Sequence, residues 1–244
     1  MIMKKTFLLT LIIILSCNTL QANQTDSLAI YILNRLKTNL QSFKSCSFTS
    51  QITYDVWTEE LGLIKHNDTE DIYIQFPDKI TVKTFGDKGR TRMIYTGKKF
   101  FMYSYNHTYT EVDISLSVIE MIHAINHNYG IEFPGADFFY PTFVEDMMAS
   151  GGFIRYLGTT YLDGKECYHI AGKDSNGSNF QVWISEDYLP AKMVINYGNQ
   201  TGSPQYEAIY KNWVTNPILP VTLFEFTPPP GATRISLISI SSSK

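Results

Sequence analysis

The hydrophobic period changes once near the start of the chain, within residues 26–56, which read DSLAIYILNRLKTNLQSFKSCSFTSQITYDV. Up to residue 43, large apolar side chains recur every three or four positions on one stripe, which carries Leu28, Ile32, Leu36, Leu40 and Phe43. After residue 44 the period is two, and one face carries Phe48, Ile52, Tyr54 and Val56. The first pattern predicts a helix over residues 26–43, and the second predicts a β-strand directly after it.

The strand pattern continues along much of the chain. Ile72, Ile74 and Phe76 alternate in the same way, as do Phe101, Tyr103 and Tyr105. Short turn signals separate such runs, and they are Gly86-Asp87-Lys88-Gly89, Thr96-Gly97, Asp163-Gly164 and Asn176-Gly177. Links this short join antiparallel neighbours, because a parallel crossover needs about a dozen residues. The sequence therefore predicts an α+β chain with one leading helix and an antiparallel meander of about ten or eleven strands.

A second helical block over residues 115–150 interrupts the meander. Ser117 and Glu120 fit a capping box at its start. The apolar positions that follow are Leu116, Val118, Ile119, Met121, Ile122, Ile125 and Tyr129. They cover more of the circumference than one stripe, so this helix must be covered on several sides or must itself cover an apolar surface. Pro141 suits the first turn of a further helix, in a segment dense in Phe and Met.

The first 22 residues resemble an export signal. Lys4 and Lys5 precede an apolar run over residues 7–15, which is too short to span a bilayer, and a polar stretch follows. Two processing sites are open: cleavage after Ala22 removes residues 1–22, whereas lipidation of Cys17, in a sequence resembling a bacterial lipobox, removes residues 1–16. Either site leaves a single domain over residues 23–234, with residues 235–244 as an edge strand or frayed tail. We expect a periplasmic protein, anchored to the outer membrane if Cys17 is lipidated.

The composition excludes several classes of protein. Apolar residues make up 44% and charged residues 18%, so the chain has enough apolar surface for a sizeable core and does not resemble a disordered protein. The net charge of −3 gives no basis for binding nucleic acid. Aromatic residues make up 14%, with 16 Tyr and 15 Phe, which is the composition that a broad antiparallel sheet favours.

Two cysteines remain beyond the export signal, at Cys46 and Cys167. In an oxidising compartment we expect them to pair as a disulfide, and the alternative is two buried free thiols. Neither has a second Cys or a His at the spacing of metal ligands, so we expect no metal site on them.

No catalytic motif stands out. His123 and His127 lie four residues apart, but Ala124 follows the first, where a metalloprotease helix carries Glu. His169 lies in a predicted strand without a nucleophile at a recognisable spacing. The sequence contains neither a Gly-x-Ser-x-Gly elbow nor a phosphate-binding glycine loop. We therefore expect a protein that is not an enzyme and holds no cofactor; a hydrolase using His123 or His169 is a minor alternative.

Several ordered motifs resemble those of one uncharacterised bacterial periplasmic family, a domain of unknown function related to the LolA, LolB and LppX superfamily. They are FPDKI at 76–80, YTGK at 95–98, CYHI at 167–170, QVWI at 181–184, LPAK at 189–192, GSPQY at 202–206, Trp213 and FTPP at 226–229. The resemblance covers nearly all of the mature chain. One departure is Asn179-Phe180, where the family tends to show Asp-Trp.

The resemblance implies an incomplete, half-open antiparallel barrel with helices lying across its mouth as a plug or lid. In LolA-type proteins the concave face is apolar and holds the acyl chains of a lipoprotein or lipid. Met adapts to irregular apolar partners and Phe adds large contact area, so the Phe and Met segment suits such a lid. The residues expected to line the cavity and lid are Ile119, Ile122, Phe138, Phe139, Phe143, Met147, Met148, Phe101 and Tyr103.

Two functions are compatible with these features. The first is a periplasmic carrier or binding protein that holds a lipid or lipoprotein acyl chain in the half-barrel, with an envelope protein as a further partner. The second is a non-enzymatic envelope interaction protein, whose half-barrel is filled by its own side chains. In both, contact with the membrane would come only through an N-terminal anchor at Cys17.

Overall fold

A computed structural model of the chain describes residues 26–133, 135–149 and 152–240. The predicted export signal, with both processing alternatives and Cys17, lies outside these residues, as do residues 241–244 at the end of the predicted tail.

Twelve strands and three α-helices make up the described part of the chain. The strands are β1 (Ser45–Thr58), β2 (Gly62–Gln75), β3 (Lys79–Gly86), β4 (Gly89–Tyr95), β5 (Lys99–Ser104), β6 (Thr108–Asp113), β7 (Phe153–Leu162), β8 (Lys165–Lys173), β9 (Asn179–Ser185), β10 (Pro190–Asn196), β11 (Gln205–Thr215) and β12 (Thr233–Arg234). The helices are α1 (Ser27–Gln41), α2 (Val118–Tyr129) and α3 (Phe143–Ala149), with 3₁₀ turns at Ala136–Phe139 and Val221–Phe224.

All twelve strands form one open, curled sheet in the order β12-β6-β5-β4-β3-β2-β1-β11-β10-β9-β8-β7. Every pairing is antiparallel except the short one between β12 and β6. Within the described residues, no pairing joins β7 at one edge to β12 or β6 at the other. The predicted half-open antiparallel barrel is confirmed, and eleven of its strands belong to the antiparallel meander. The chain leaves strand geometry after Arg234.

Helix α1 begins where the sequence predicts it and is tied to an edge strand. Asp26 caps it by accepting a hydrogen bond from the Leu28 amide at 2.8 Å. The Asp26 amide also donates to the carbonyl of Ile154 at 2.9 Å, which fixes the start of the helix on β7. Leu33, Leu36 and Leu40 are almost fully buried, as the apolar stripe requires.

Helix α2 lies on the same face of the sheet, which we call the inner face. Its predicted capping box is present: the Ser117 hydroxyl accepts from the Glu120 amide, and the Glu120 carboxylate accepts from the Ser117 amide at 2.9 Å. The Tyr95 hydroxyl accepts from the Leu116 amide at 2.8 Å and donates to the Leu116 carbonyl at 2.6 Å, which fixes the approach to α2 on β4. The apolar arc of α2 is buried against the inner face.

The outer face of β3–β6 is covered by the segment that follows β11. Phe226 contacts the rings of Phe101, Tyr103 and Tyr109, at centroid distances of 5.0, 5.9 and 5.7 Å. Arg92 donates to the Leu223 carbonyl at 2.9 Å on the same side. These contacts cover side chains that would otherwise be exposed on the outer face.

The predicted disulfide between Cys46 and Cys167 is wrong, because both thiols are free and buried. Cys46 lies in β1 and Cys167 in β8, with β11, β10 and β9 between them in the sheet. Four strand spacings amount to about 19 Å along the sheet, whereas disulfide-bonded Cα atoms lie within about 7 Å. Burial raises the pKa of the Cys46 thiol to about 12, so this group stays in its unreactive protonated form.

Candidate ligand-binding groove

A cavity of about 470 Å³ lies between α3 and the inner face of β9 and β10. Its floor is formed by alternating side chains of these two strands, Phe180, Val182, Met193 and Ile195. Its roof is formed by Tyr140, Phe143 and Met147. The volume falls in the range of roughly 300–1,000 Å³ that is typical of small-molecule sites.

The space beneath α2 is different, because side chains fill it almost completely. Only about 20 Å³ remains there. Its lining comes from α2, the following turn and the inner face of β1–β3: Phe48, Glu70, Ile72, Ile74, Ile80, Val82, Val118, Ile119, Ile122, Phe133, Gly135, Ala136 and Phe139. A volume of this size holds about one water molecule.

Two further cavities extend the first one along the inner face. The adjoining cavity of about 260 Å³ shares Tyr140, Met193, Ile195 and Tyr197 with it. A third cavity of about 560 Å³, over the inner face of β1–β5, shares Tyr197 with both of the others. The three together form one continuous depression, which we call the groove.

The groove carries an excess of acidic side chains. Its acidic lining residues are Asp55, Asp68, Glu70, Glu132, Asp137, Asp146 and Asp174. The one basic residue among the described lining residues is Lys88, which lies over the Tyr54 ring at 5.2 Å. Asp137 reaches solvent at the rim, yet partial desolvation raises the pKa of its carboxyl, and the charge of Glu132 adds to the shift. The groove is therefore electronegative.

Glu70 is the most deeply buried of these carboxyl groups, with 4% of the residue exposed. One carboxyl oxygen accepts a hydrogen bond from Thr84 at 3.2 Å, and the other, Oε2, has no partner among the described residues. Burial raises the pKa of Glu70 to about 7, and the negative charge of Asp68 adds to the shift.

Three hydroxyl groups near Glu70 also lack partners among the described residues, those of Ser50, Tyr206 and Tyr210. The two tyrosine hydroxyls interact electrostatically, but they do not reach hydrogen-bond geometry with each other. Burial raises the pKa of both tyrosines, so they stay protonated. A buried polar group without a partner costs about 1–3 kcal/mol. Four such groups at one place on the inner face therefore form an unfavourable cluster as long as nothing pairs with them.

A family model described as "Predicted periplasmic protein (DUF2092)" matches residues 29–238. The chain belongs to this family. The match covers the whole half-barrel, including the groove, and the expected periplasmic location agrees with the description of the DUF2092 family.

Other proteins resemble this DUF2092 protein more distantly. An uncharacterized protein of Methanocaldococcus jannaschii is 23% identical over 180 residues, which are 72% of this chain and 47% of that protein. The chain thus spans about half the length of this curated relative.

Solved structures are also similar. An uncharacterized conserved protein from Thermus thermophilus gives a TM-score of 0.49 at 11% identity, covering 84% of this chain and 97% of that one. The Mycobacterium tuberculosis lipoprotein LppX gives 0.48 at 12% identity, covering 80% and 99%. Within the described residues of this DUF2092 protein, no helix is long and apolar enough to cross a membrane.

The structure separates the residues that the sequence predicts for the cavity and lid. Phe143 and Met147 line the 470 Å³ cavity, and Ile122 lines the adjoining one. Ile119 and Phe139 instead border the filled space beneath α2, and Phe138 is buried in the core with 2% exposed.

The other three predicted residues lie away from the groove. Met148 is on the exposed side of α3, with 44% of the residue exposed. Phe101 and Tyr103 lie on the outer face against Phe226, and their neighbour Phe100 faces the core instead.

Sequence reasoning missed the floor of the groove. Phe180 and Val182 on β9 and Met193 and Ile195 on β10 alternate at a period of two, which is a visible strand signal. Phe180 stands where the family tends to show Trp. Glu70 has the same parity as Ile72 and Ile74, which predicts an inward carboxyl group in the middle of a buried strand face.

The three histidines considered as catalytic candidates contact neighbouring side chains. The His123 and His127 rings stack on the surface of α2, with centroids 6.2 Å apart. His169 shares a hydrogen bond with Gln181 at 3.0 Å and stacks on Trp183, and burial lowers its pKa. Among the described residues, no group of three or more His, Cys, Asp or Glu side chains has a geometry that could hold a metal ion.

Proposed function

We propose that this protein binds the hydrocarbon chain of a lipid or lipoprotein in its groove and carries or holds it in the periplasm. The observation that carries the proposal is the 470 Å³ cavity with an apolar floor and roof between α3 and the strands β9 and β10. The motif resemblance to a family related to LolA and LppX supports the same function. The proposed role is non-catalytic: the groove removes hydrocarbon from water and later releases it.

The binding energy would come from burial of methylene groups. Each buried CH₂ contributes about 0.8 kcal/mol, so a chain of about twelve carbons gains roughly 10 kcal/mol. Association costs of at least about 4 kcal/mol are subtracted from this gain. The remaining gain of about 6 kcal/mol or less corresponds to a Kd of roughly tens of micromolar or weaker, which suits a protein that must also release its ligand.

The roof over the cavity is suited to opening. Helix α3 has only seven residues, and Phe143 and Val144 are its buried ones. An ion pair at 2.6 Å joins Glu145 on α3 to Lys37 on α1, and the Glu145 side chain is 54% exposed. Because Glu145 is exposed, this pair contributes little to stability, so the burial of Phe143 and Val144 is the main contribution that holds α3 on the strands.

The test is binding of dodecanol, an uncharged twelve-carbon probe, measured by calorimetry on the mature protein. Ile195→Trp places a large ring in the cavity floor, and we expect it to weaken dodecanol binding at least tenfold. Met148→Trp is the matched control, because it adds the same ring on the exposed side of α3. Binding that is equal in wild type and Ile195→Trp, or absent in wild type, would contradict the proposal.

Protein purified from its own periplasm gives an independent measurement. We expect native mass spectrometry to show a co-purifying lipid that survives dialysis and is lost in Ile195→Trp. The control variant Met148→Trp should keep the co-purifying lipid.

A protein partner is the second candidate function, and one observation favours it. The tip of the β1–β2 hairpin exposes Trp57, Leu61 and Leu63, with 43%, 71% and 42% of each residue exposed. A ligand-free protein that takes up no dodecyl probe would favour this function, with the hairpin tip as the contact surface.

A further inference from the structure

The four polar groups without partners lie side by side on three neighbouring strands. Ser50 on β1 is directly opposite Glu70 on β2 and opposite Tyr210 on β11. Tyr206 follows on the same face of β11, four residues before Tyr210. Glu70 and Tyr206 both line the part of the groove over β1–β5. Glu70 and Tyr206 therefore form a polar floor in this part of the groove, with Ser50 and Tyr210 buried beside them.

The chemistry of this polar floor favours a ligand that donates hydrogen bonds. The Oε2 atom of Glu70 is an acceptor when ionised, and the three hydroxyl oxygens accept as well. The Tyr206 ring, which lines this part of the groove, is an aromatic group of the kind that attracts a cation. Glu70 is nine-tenths buried and points into the groove, as a built binding group does.

The surrounding charges exclude an anionic ligand group. Asp68 and Glu132 line the same part of the groove as Glu70, and Lys88 is the one basic residue among the described lining residues. A carboxylate or phosphate placed there would meet several like charges at short range. A metal ion is not favoured either, since the described residues contain no suitable cluster of ligands.

We propose that the polar floor binds an ammonium head group of the amphiphile, with Glu70 as its ion-pair partner and its chain running past Tyr197 into the cavity over β9 and β10. This inference rests on the proposed function and specifies the class of ligand. The proposed ligand is an alkyl or lipid amine, not a fatty acid or an acidic phospholipid.

Binding of such a group should depend on pH. The titratable groups around the site are Asp68 on β2, Tyr54 and Asp55 on β1, Tyr206 and Tyr210 on β11, and Tyr197, Glu132, Asp137 and Lys88 from the facing segments. Tyr206 and Tyr210 stay neutral, so Glu70 is the group that changes charge near neutral pH. An ammonium group would bind more tightly at pH 8, where Glu70 is ionised, than at pH 5.5, where it is protonated.

The experiment compares three probes with the same chain: dodecylamine, dodecanol and sodium dodecanoate, each below its micelle concentration. At pH 8 we expect dodecylamine to bind at least tenfold more tightly than dodecanoate, with dodecanol between them. Glu70→Gln should remove the preference for dodecylamine over dodecanol. Asp71→Asn is the matched control, because it removes a carboxylate one residue away on the opposite face of β2, where Asp71 accepts from Thr49.

The outcomes separate this inference from the proposed function. If dodecanol binds but dodecylamine and dodecanoate bind equally, or if Glu70→Gln keeps the preference for the amine, the ammonium site is wrong and the chain-binding function stands. If none of the three probes binds, the proposed function fails and the ammonium site fails with it. Tyr206→Phe, which keeps the ring and removes one hydroxyl, gives a second measure should Glu70→Gln not fold; we expect it to lower dodecylamine affinity several-fold.

Discussion

The spaces beneath α2 and α3 lie on the inner face of one sheet, and they differ more than twentyfold in volume, at about 20 and 470 Å³. Helix α2 has twelve residues and an apolar arc that fills the surface of β1–β3. Helix α3 has seven residues and leaves the strands β9 and β10 open. The comparison teaches that the inner face of this curled sheet is either filled or left open, depending on the length and apolar arc of the helix that covers it.

The largest expected difference between the two spaces is the loss of stability when a side chain that borders each of them is truncated to Ala. Ile74→Ala beneath α2 should lower the free energy of unfolding by about 2–5 kcal/mol, because Ile74 borders only the filled space and its truncation opens a cavity there. Met147→Ala beneath α3 should cost less than half of that, because Met147 already borders an open cavity. Urea unfolding of the two variants measures both losses. Equal losses would mean that the two spaces do not differ as described.

The polar floor should make stability depend on pH. The pKa of Glu70 is about 7 in the folded protein and near 4.5 in an unfolded chain, so the folded protein binds more protons between these values. The contribution of protonated Glu70 to the free energy of unfolding is fully present below pH 4.5. It is lost as the pH rises from 4.5 through 7, at about 1.4 kcal/mol per pH unit.

The variant Glu70→Gln removes this titration. Between pH 5 and pH 8, the free energy of unfolding measured in urea should fall by about 3 kcal/mol more in wild type than in Glu70→Gln, since the variant cannot ionise at this position. Comparing the two proteins cancels the contributions of the other carboxyl groups. The same loss in both proteins would place the titration elsewhere.

The cap of α2 should affect stability without affecting binding. Ser117→Ala removes the hydroxyl that accepts from the Glu120 amide, which we expect to cost about 1 kcal/mol of folding free energy. Dodecanol affinity should stay within twofold of wild type, because Ser117 lies at the start of α2 and does not line the groove. Ser115→Ala, two residues earlier and exposed, is the control for the change in composition. A marked loss of dodecanol affinity in Ser117→Ala would show that α2 takes part in binding.

The parts of the fold that depend on neighbouring residues could be predicted from the sequence. The α1 stripe, the capping box at Ser117 and the tight turn at Asp163-Gly164 each depend on a few residues in a row, and the structure has all three. The antiparallel meander follows from the hairpin links between strands, whereas the half-open barrel is what the resemblance to the LolA-related family implies.

The sequence-based predictions are wrong or incomplete where a feature depends on the order of strands in the sheet or on a distant segment. The disulfide between Cys46 and Cys167 requires two strands that three others keep apart. Both faces of β5 carry aromatic residues, so alternation alone does not tell whether Phe100 or Phe101 faces the core. The floor at Val182 and Ile195 borders an open cavity because α3 is short, which is a property of another segment.

The smallest expected change in stability comes from the ion pair that holds α3. Glu145→Gln removes the charge that contacts Lys37, and because Glu145 is exposed we expect no measurable change in the urea midpoint. The rate of dodecanol release should nevertheless rise several-fold in stopped-flow measurements, since α3 forms the roof over the cavity and must move for the chain to leave. Asp163→Asn removes a similar exposed pair, with Lys211, away from the groove and should leave the release rate unchanged. Equal release rates in the two variants would mean that α3 is not the exit, and that the chain leaves through the part of the groove over β1–β5.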